Sequence, residues 1–209
     1  MSTFRSLLMS GGQTPPPEYT VVQWIQSNKQ QYIDLGDMGT NGVYSLSVDM
    51  LLPSSTNSGT SMFGARNDSP STRRIGTMYF PGALQSGLWV GTSTSLLLTT
   101  HQHNTRFRLR ADVDESTHTV TMDYNGAVSS AKFNGTTSTG LGLFLFGANL
   151  NGNIVERGIF RVYGVRVDVD RVFKRELVPV LDSNGIPMLY DLASRTSFPN
   201  KGTGQFTYG

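Results

Sequence analysis

The sequence predicts an all-β chain: two antiparallel sheets packed as a β-sandwich, preceded by an extended N-terminal arm. Three observations predict it. Segments with an apolar residue at every second position recur along the chain. Asn-Gly pairs, the strongest two-residue hairpin signal because both central residues need positive φ, begin at Asn41, Asn125, Asn134, Asn151 and Asn184. Only 15% of the residues are charged, whereas Gly, Ser, Thr and Asn abound, which suits turns and polar strand faces better than amphipathic helices.

Residues 1–18 read as the arm. Phe4, Leu7, Leu8 and Met9 surround Arg5, Gly11 and Gly12 supply a hinge, and "TPPPEY" forms a stiff spacer because each Pro fixes φ. A polar tail rarely keeps so many large apolar residues, so Phe4, Arg5, Leu7, Leu8 and Met9 are the candidate docking peptide, buried only on a partner.

Residues 19–209 then form one domain, a length common for a single sandwich. Strand candidates start at "YIDLG" from Tyr32. "VYSLSVDML" follows, with Tyr44, Leu46, Val48 and Met50 opposed to Ser45, Ser47 and Asp49. "SMFGAR" from Ser61, "TMYF" from Thr77 and "LLLTT" from Leu96 come next. "RFRLRADV" sets Phe107, Leu109, Ala111 and Val113 against Arg106, Arg108 and Arg110, and "HTVTMDY" sets Val120, Met122 and Tyr124 against Thr119, Thr121 and Asp123. "LGLFLFGA" from Leu141, "RVYGVRV" from Arg161 and "VFKRELVPV" from Val172 complete the set. Roughly a dozen strands with one apolar face each satisfy that face by packing sheet on sheet.

Composition also excludes function classes. A net charge of +2 without a Lys/Arg block gives no nucleic-acid footprint. There is no cysteine, hence no disulfide and no thiolate chemistry. "MSTFRSLLMSGG" is too short in its apolar run for a secretory signal, and no run approaches the ~18 apolar residues of a membrane span. The expectation is a chain made and assembled in cytoplasm.

The order "YIDLG", "FGARN" at Phe63, "LFGAN" at Leu145 with "NGN" following, "RVYGVRV", "ELVPVLDSNGIPMLYD" at Glu176 and "NKGTGQFTYG" at Asn200 resembles the concanavalin A-like, laminin-G-like sandwich domain of phage and prophage structural proteins of gut bacteria. The resemblance covers residues 19–209 and is most specific in the C-terminal block. It implies a jelly roll on a virion, in a tail, fibre or capsid-decoration protein, with capsid, portal or tail proteins as partners and a homo-oligomeric state in the particle. It does not by itself imply a ligand. Family members often carry an Asn-Gly or Gly-containing turn where this chain has "DVDR", Asp168 to Arg171.

Candidate site residues follow. Arg106, Arg108 and Arg110 form a stripe suited to bidentate recognition of carboxylate or phosphate, on an acidic surface glycan or a neighbouring subunit. A hairpin across "DVDEST" would set Arg106 opposite Asp123, Arg108 opposite Thr121 and Arg110 opposite Thr119, leaving two arginines unpaired. The competing reading is a solvated face that guards against sheet aggregation. Trp24 and Trp89 offer sugar-stacking faces, although Trp89 in "GLWVG" suits a core equally, and Arg66 with Asn67 reads as a strand end.

Catalysis and metals have thin support. Retaining glycosidases need two carboxyl groups about 5 Å apart. Glu18, Glu115, Glu156 and Glu176 are isolated, and none stands in the Glu-x-Asp-x-x-Glu arrangement of glucanases with this fold. Asp112 with Asp114, and Asp168 with Asp170, have the spacing but fall at expected turns. His101 and His103 fit a solvent-facing loop, and the Asp pairs supply too few oxygens for calcium. No catalytic residue, metal or cofactor is expected. In "GIPMLYDLASRTSFPNKGTG", Asp191 and Arg195 read as a local ion pair or turn clamp, and the segment as the piece that fixes both domain termini together. The expected function is a non-enzymatic virion protein with a lectin-like module and multivalent glycan attachment, against an architectural subunit or a secreted bacterial glycan-binding module.

Overall fold

A computed structural model describes residues 13–36, 43–53, 59–67, 74–80, 84–137, 140–170 and 172–209. Phe4, Arg5, Leu7, Leu8 and Met9 of the candidate arm, and the Asn41-Gly42 turn, lie outside the described residues.

Two sheets form the sandwich. The larger runs β11 (Ala127–Lys132), β10 (Thr119–Tyr124), β9 (Arg106–Asp114), β4 (Val43–Leu51), β15 (Arg161–Val169), β16 (Val172–Leu181), β17 (Pro187–Asp191), β18 (Thr196–Phe198). Beside it β1 (Thr20–Val21) pairs with β16, and β2 (Ile25–Gln26) joins β15 to β19 (Thr207–Tyr208). The smaller sheet runs β14 (Asn153–Val155), β13 (Ala148–Leu150), β5 (Phe63–Arg66), β6 (Arg74–Phe80), β7 (Gln85–Val90), β8 (Ser93–Thr100). Within it β12 (Phe144–Leu145) bridges β5 to β3 (Ile33–Asp34). Pairing is antiparallel except between β13 and β5, where Asn149 lies beside Ala65 in parallel.

Period-two patterning decides which face is buried. Leu46, Val48 and Met50 of β4, Leu109, Ala111 and Val113 of β9, and Val165 and Val167 of β15 point inward, meeting Ile33, Phe63, Ala65, Leu88, Val90 and Leu145 of the other sheet. Each fully buried Val, Leu or Phe contributes about 1.5–3 kcal/mol. No disulfide assists.

The Asn-Gly signals divide by context. Asn125 and Gly126, with φ of 51° and 90°, close the β10–β11 hairpin, and Asn151 and Gly152, with φ of 49° and 88°, close β13–β14. Both are the two-residue turns the dipeptide favours. Asn184-Gly185 instead lies in a wider loop, where the Asp182 carboxylate accepts the N–H groups of Asn184 and Ile186 at 2.8 Å each. Asn134 makes no hairpin; its carbonyl accepts Thr92 N–H at 2.7 Å and ties the end of β11 to the β7–β8 turn. Gly91 there has φ of 59°, and an added Cβ would lie 1.9 Å from the Asn134 carbonyl oxygen, so only glycine fits. In "DVDR", Val169 pairs with Val172 and Asp170 takes φ of 51°.

The β9–β10 register differs from the sequence expectation by four residues. Arg110, not Arg106, is opposite Asp123, and Asp112 and Asp114 face Thr121 and Thr119. The reason is that β9 continues through Asp114, whose carboxylate accepts the N–H groups of Ser116 and Thr117 and so moves the turn toward the chain's C-terminus.

The C-terminal segment closes the fold, as its polar density suggests. Leu189 of β17 joins the main core, while Met188, Tyr190 and Leu192 form a second cluster with Val178 and Val180, covered by Tyr19 and Val21. Tyr19 and Tyr190 rings lie 4.7 Å apart. Residues 200–204 bond back to the start: Asn200 Oδ1 accepts Tyr32 N–H at 3.2 Å, and Tyr32 and Gln30 carbonyls accept Lys201 and Thr203 N–H. Of the two readings of Asp191 with Arg195, an ion pair or a turn clamp, no ion pair is found among the described residues. Asp191 is instead a buried clamp, accepting Glu176 N–H at 2.8 Å, Ala193 N–H at 3.1 Å and Ser194 Oγ–H at 2.6 Å.

Candidate functional site

The strongest site lies on the outward face of the smaller sheet. In "GLWVG" the neighbours Leu88 and Val90 are buried in the core, so strand alternation turns Trp89 outward, where it is half-buried. Next to it across β6 and β5 stand Gly76 and then Gly64, paired opposite each other. An added Cβ at Gly76 would lie 2.9 Å from the Phe63 carbonyl oxygen, so glycine there lets β5 and β6 approach closely. Arg66, two residues beyond Gly64, occupies the same face.

The fourth wall comes from far along the chain. The β13–β14 hairpin places Glu156 against Arg66, with Arg66 Nη2 at 2.8 Å from Glu156 Oε1. Glu156 Oε2 accepts Ser61 Oγ–H at 2.7 Å, and its backbone carbonyl accepts Ser61 N–H at 2.8 Å. Glu156 is held in the left-handed region at φ of 53°. Arg66 Nε is buried with no acceptor among the described residues. Together Ser61, Gly64, Arg66, Gly76, Trp89 and Glu156 line a shallow recess, partly open to solvent.

The recess presents three kinds of chemical group. An indole offers an apolar π face, a guanidinium offers donors, and a carboxylate offers acceptors. Glu156 is the one carboxylate lining the recess among the described residues, whereas retaining hydrolysis needs a pair about 5 Å apart.

The arginine stripe is differently disposed from the expectation of two unpaired guanidinium groups. Arg106 grips Asp49 with both Nε and Nη2 at 2.6 Å and lies 4.0 Å above the Tyr163 ring. Arg108 has Asp123 at 4.0 Å, and Arg110 Nε bonds Asp112 at 2.8 Å. Each arginine therefore has a carboxylate within reach, supplied partly by Asp49 of β4, a strand that sequence patterning does not place beside β9. The register shift brings Asp123 to Arg108, while Asp112 is Arg110's own neighbour two residues along β9. The Asp49 bond also raises the Arg106 pKa, outweighing partial burial.

Other candidates resolve as structural groups. Trp24 is half-buried beneath Arg161, whose guanidinium lies 4.3 Å from the ring. His101 does not face solvent: it is 1% exposed, packed against Phe107 and Tyr124. His103 Nε2 bonds the Tyr79 hydroxyl at 2.6 Å. Asp112 bonds Ser45 and Arg110, and Asp168 bonds Arg166, so Asp112, Asp114 and Asp168 are strand residues rather than turn residues. Glu115 accepts bonds from Thr136 and Thr137. Among the described residues no group of three His, Asp or Glu is placed to hold a metal, and no helix is long and apolar enough to cross a membrane.

Comparison with known proteins places the fold. No family model and no curated protein sequence matches the chain. Among solved structures, a protein of Bacteroides ovatus described as a candidate carbohydrate-binding protein superposes with a TM-score of 0.62 at 11% identity, over 91% of this chain. The NanB sialidase of Streptococcus pneumoniae superposes with a TM-score of 0.54 at 10% identity, over 93% of this chain. The chain spans 60% of the first protein's length and 39% of the second's. At such identities the likeness is one of fold: an all-β sandwich of two sheets, consistent with a concanavalin-like jelly roll.

Proposed function

We propose that this chain is a non-catalytic, glycan-binding β-sandwich displayed on a bacteriophage particle, and that the Trp89 recess is its sugar site. The observation that carries the reading is a half-buried indole standing beside two facing glycines, with a locked guanidinium–carboxylate pair at its rim. A sugar ring presents a C–H face to the indole and hydroxyl groups to Arg66 and Glu156. The similarity in fold to a candidate carbohydrate-binding protein supports the sugar reading. The stripe of Arg106, Arg108 and Arg110 ranks behind the recess because its charges are already matched.

Support for the particle comes from the C-terminal block, Glu176–Asp191 and Asn200–Gly209, which resembles phage structural proteins, and from the apolar content of residues 1–12. Weak single-site binding suits such display, since many copies raise avidity 10²–10⁴-fold, on the order of magnitude of linked modules generally. The bacterial origin of the similar structure favours a second reading, a glycan-binding module at a bacterial surface. Proteomics of purified particles decides between them; recovery in the bacterial envelope and absence from particles would reject the virion assignment.

Binding is tested directly on the purified chain. Trp89→Ala should lower glycan affinity about 5- to 150-fold if sugar stacking matches base–aromatic stacking, which is of the order of 1–3 kcal/mol per ring contact. Unchanged affinity in Trp89→Ala would remove the recess as the site.

A further inference from the structure

We infer that the recess selects an uncharged sugar through a pair of adjacent hydroxyl groups, an inference that rests on the sugar-site reading above. The charges decide it. Arg66 and Glu156 lie 2.8 Å apart, so the site carries one positive and one negative group and no net charge. A ligand carboxylate seeking Arg66 would have to displace Glu156 or sit beside its negative charge. Displacement is obstructed, because Ser61 holds Glu156 through both the side chain and the backbone carbonyl. Glu156 is only 16% exposed, so its repulsion of an anion is poorly screened.

The hydrogen-bonding pattern points the same way. A hydroxyl donates one bond and accepts others, so it matches a site where donor and acceptor stand side by side. Arg66 keeps N–H groups beyond the one engaged by Glu156, and each Glu156 oxygen keeps lone-pair capacity beyond the bond it already accepts. Two neighbouring hydroxyls on one ring can then accept from Arg66 and donate to Glu156 together. Trp89 takes the C–H face of that ring. The recess is shallow and partly open to solvent, so a sugar would rest on it by one edge rather than be enclosed.

The test uses the full chain, multimerised on streptavidin, against an array of neutral and uronic-acid-containing glycans, with wild type, Trp89→Ala, Glu156→Gln and Arg66→Lys. Neutral glycans should bind in a Trp89-dependent manner. Glu156→Gln should weaken them about ten- to a hundredfold, the effect of losing a charged acceptor. Arg66→Lys keeps the charge but loses the fork, and should weaken them at least tenfold; this second variant decides if Glu156→Gln melts early in a thermal unfolding check. Acidic glycans that bind the wild-type chain through Trp89 as tightly as neutral ones, with no gain in Glu156→Gln, would overturn the uncharged-sugar inference while leaving the sugar site intact. Neutral binding unchanged by either Glu156→Gln or Arg66→Lys also overturns it. Absence of any Trp89-dependent glycan binding overturns both it and the reading on which it rests.

Discussion

Asp191→Ala is expected to lower the unfolding free energy by about 3–5 kcal/mol, a large part of the roughly 5–15 kcal/mol typical of a domain. The carboxylate has no exposed surface and accepts three bonds, from the N–H groups of Glu176 and Ala193 and the hydroxyl of Ser194. Alanine removes the acceptor while the donors stay in place. A buried donor left without a partner costs about 1–3 kcal/mol, which is why the loss exceeds the value of an ordinary hydrogen bond. Asp191→Asn keeps one carbonyl oxygen for the two backbone donors and should cost about 1–2 kcal/mol. Arg195→Ala, which removes no bond to Asp191, should stay within about 0.5 kcal/mol of wild type, as surface changes usually do. Urea unfolding of the three variants separates the buried clamp from a surface ion pair: equal, small effects in Asp191→Ala and Arg195→Ala would mean the carboxylate is not holding the β17–β18 turn.

The contrast shows what a sequence can and cannot convey about this chain. β4 is legible because Tyr44, Leu46, Val48 and Met50 face the core while Ser47 and Asp49 are only partly buried on the other face. β17 is not, because Leu189 faces the main core while Met188 and Tyr190 face the second cluster, and burial on both sides erases the period. β11, "AVSSAK", is exposed almost throughout at the sheet edge and has no apolar face to read; only the Asn125-Gly126 turn announces it.

The same division applies to the recess. Sequence alone left Trp89 between core and surface; the structure buries Leu88 and Val90, and alternation then turns the indole outward. Glu156 carried no such signal. It reaches Arg66 only because β13 lies parallel to β5, a non-local pairing that no pattern within either segment encodes. The arginine stripe was visible, but its neutralisation depended on Asp49 of β4 and on a hairpin register set by the Asp114 side chain.

Acid should weaken the fold through His101, and the direction follows from where the proton is bound. The ring is 1% exposed, sits 4.6 Å from Phe107 and 4.9 Å from Tyr124, and neither ring nitrogen has a hydrogen-bond partner among the described residues. Burial disfavours the charged imidazolium and lowers its pKa from 6.5 to about 4. The other titratable groups around it, Tyr79, Tyr124 and His103, supply no negative charge near neutral pH. Between these two pKa values the unfolded chain holds more protons than the folded one. His101 therefore leaves stability intact above pH 6.5, and the loss grows as pH falls from 6.5 toward 4. A lowering of that size corresponds to about 3 kcal/mol when complete. His101→Phe preserves the aromatic packing and cannot be protonated, so its stability should fall less steeply over the same window. Carboxylates elsewhere titrate in both proteins, so the quantity to measure is the difference between the two urea-unfolding free energies at each pH from 7 to 4. A difference that stays flat across that range would show that His101 reaches solvent and accepts its proton in the folded chain.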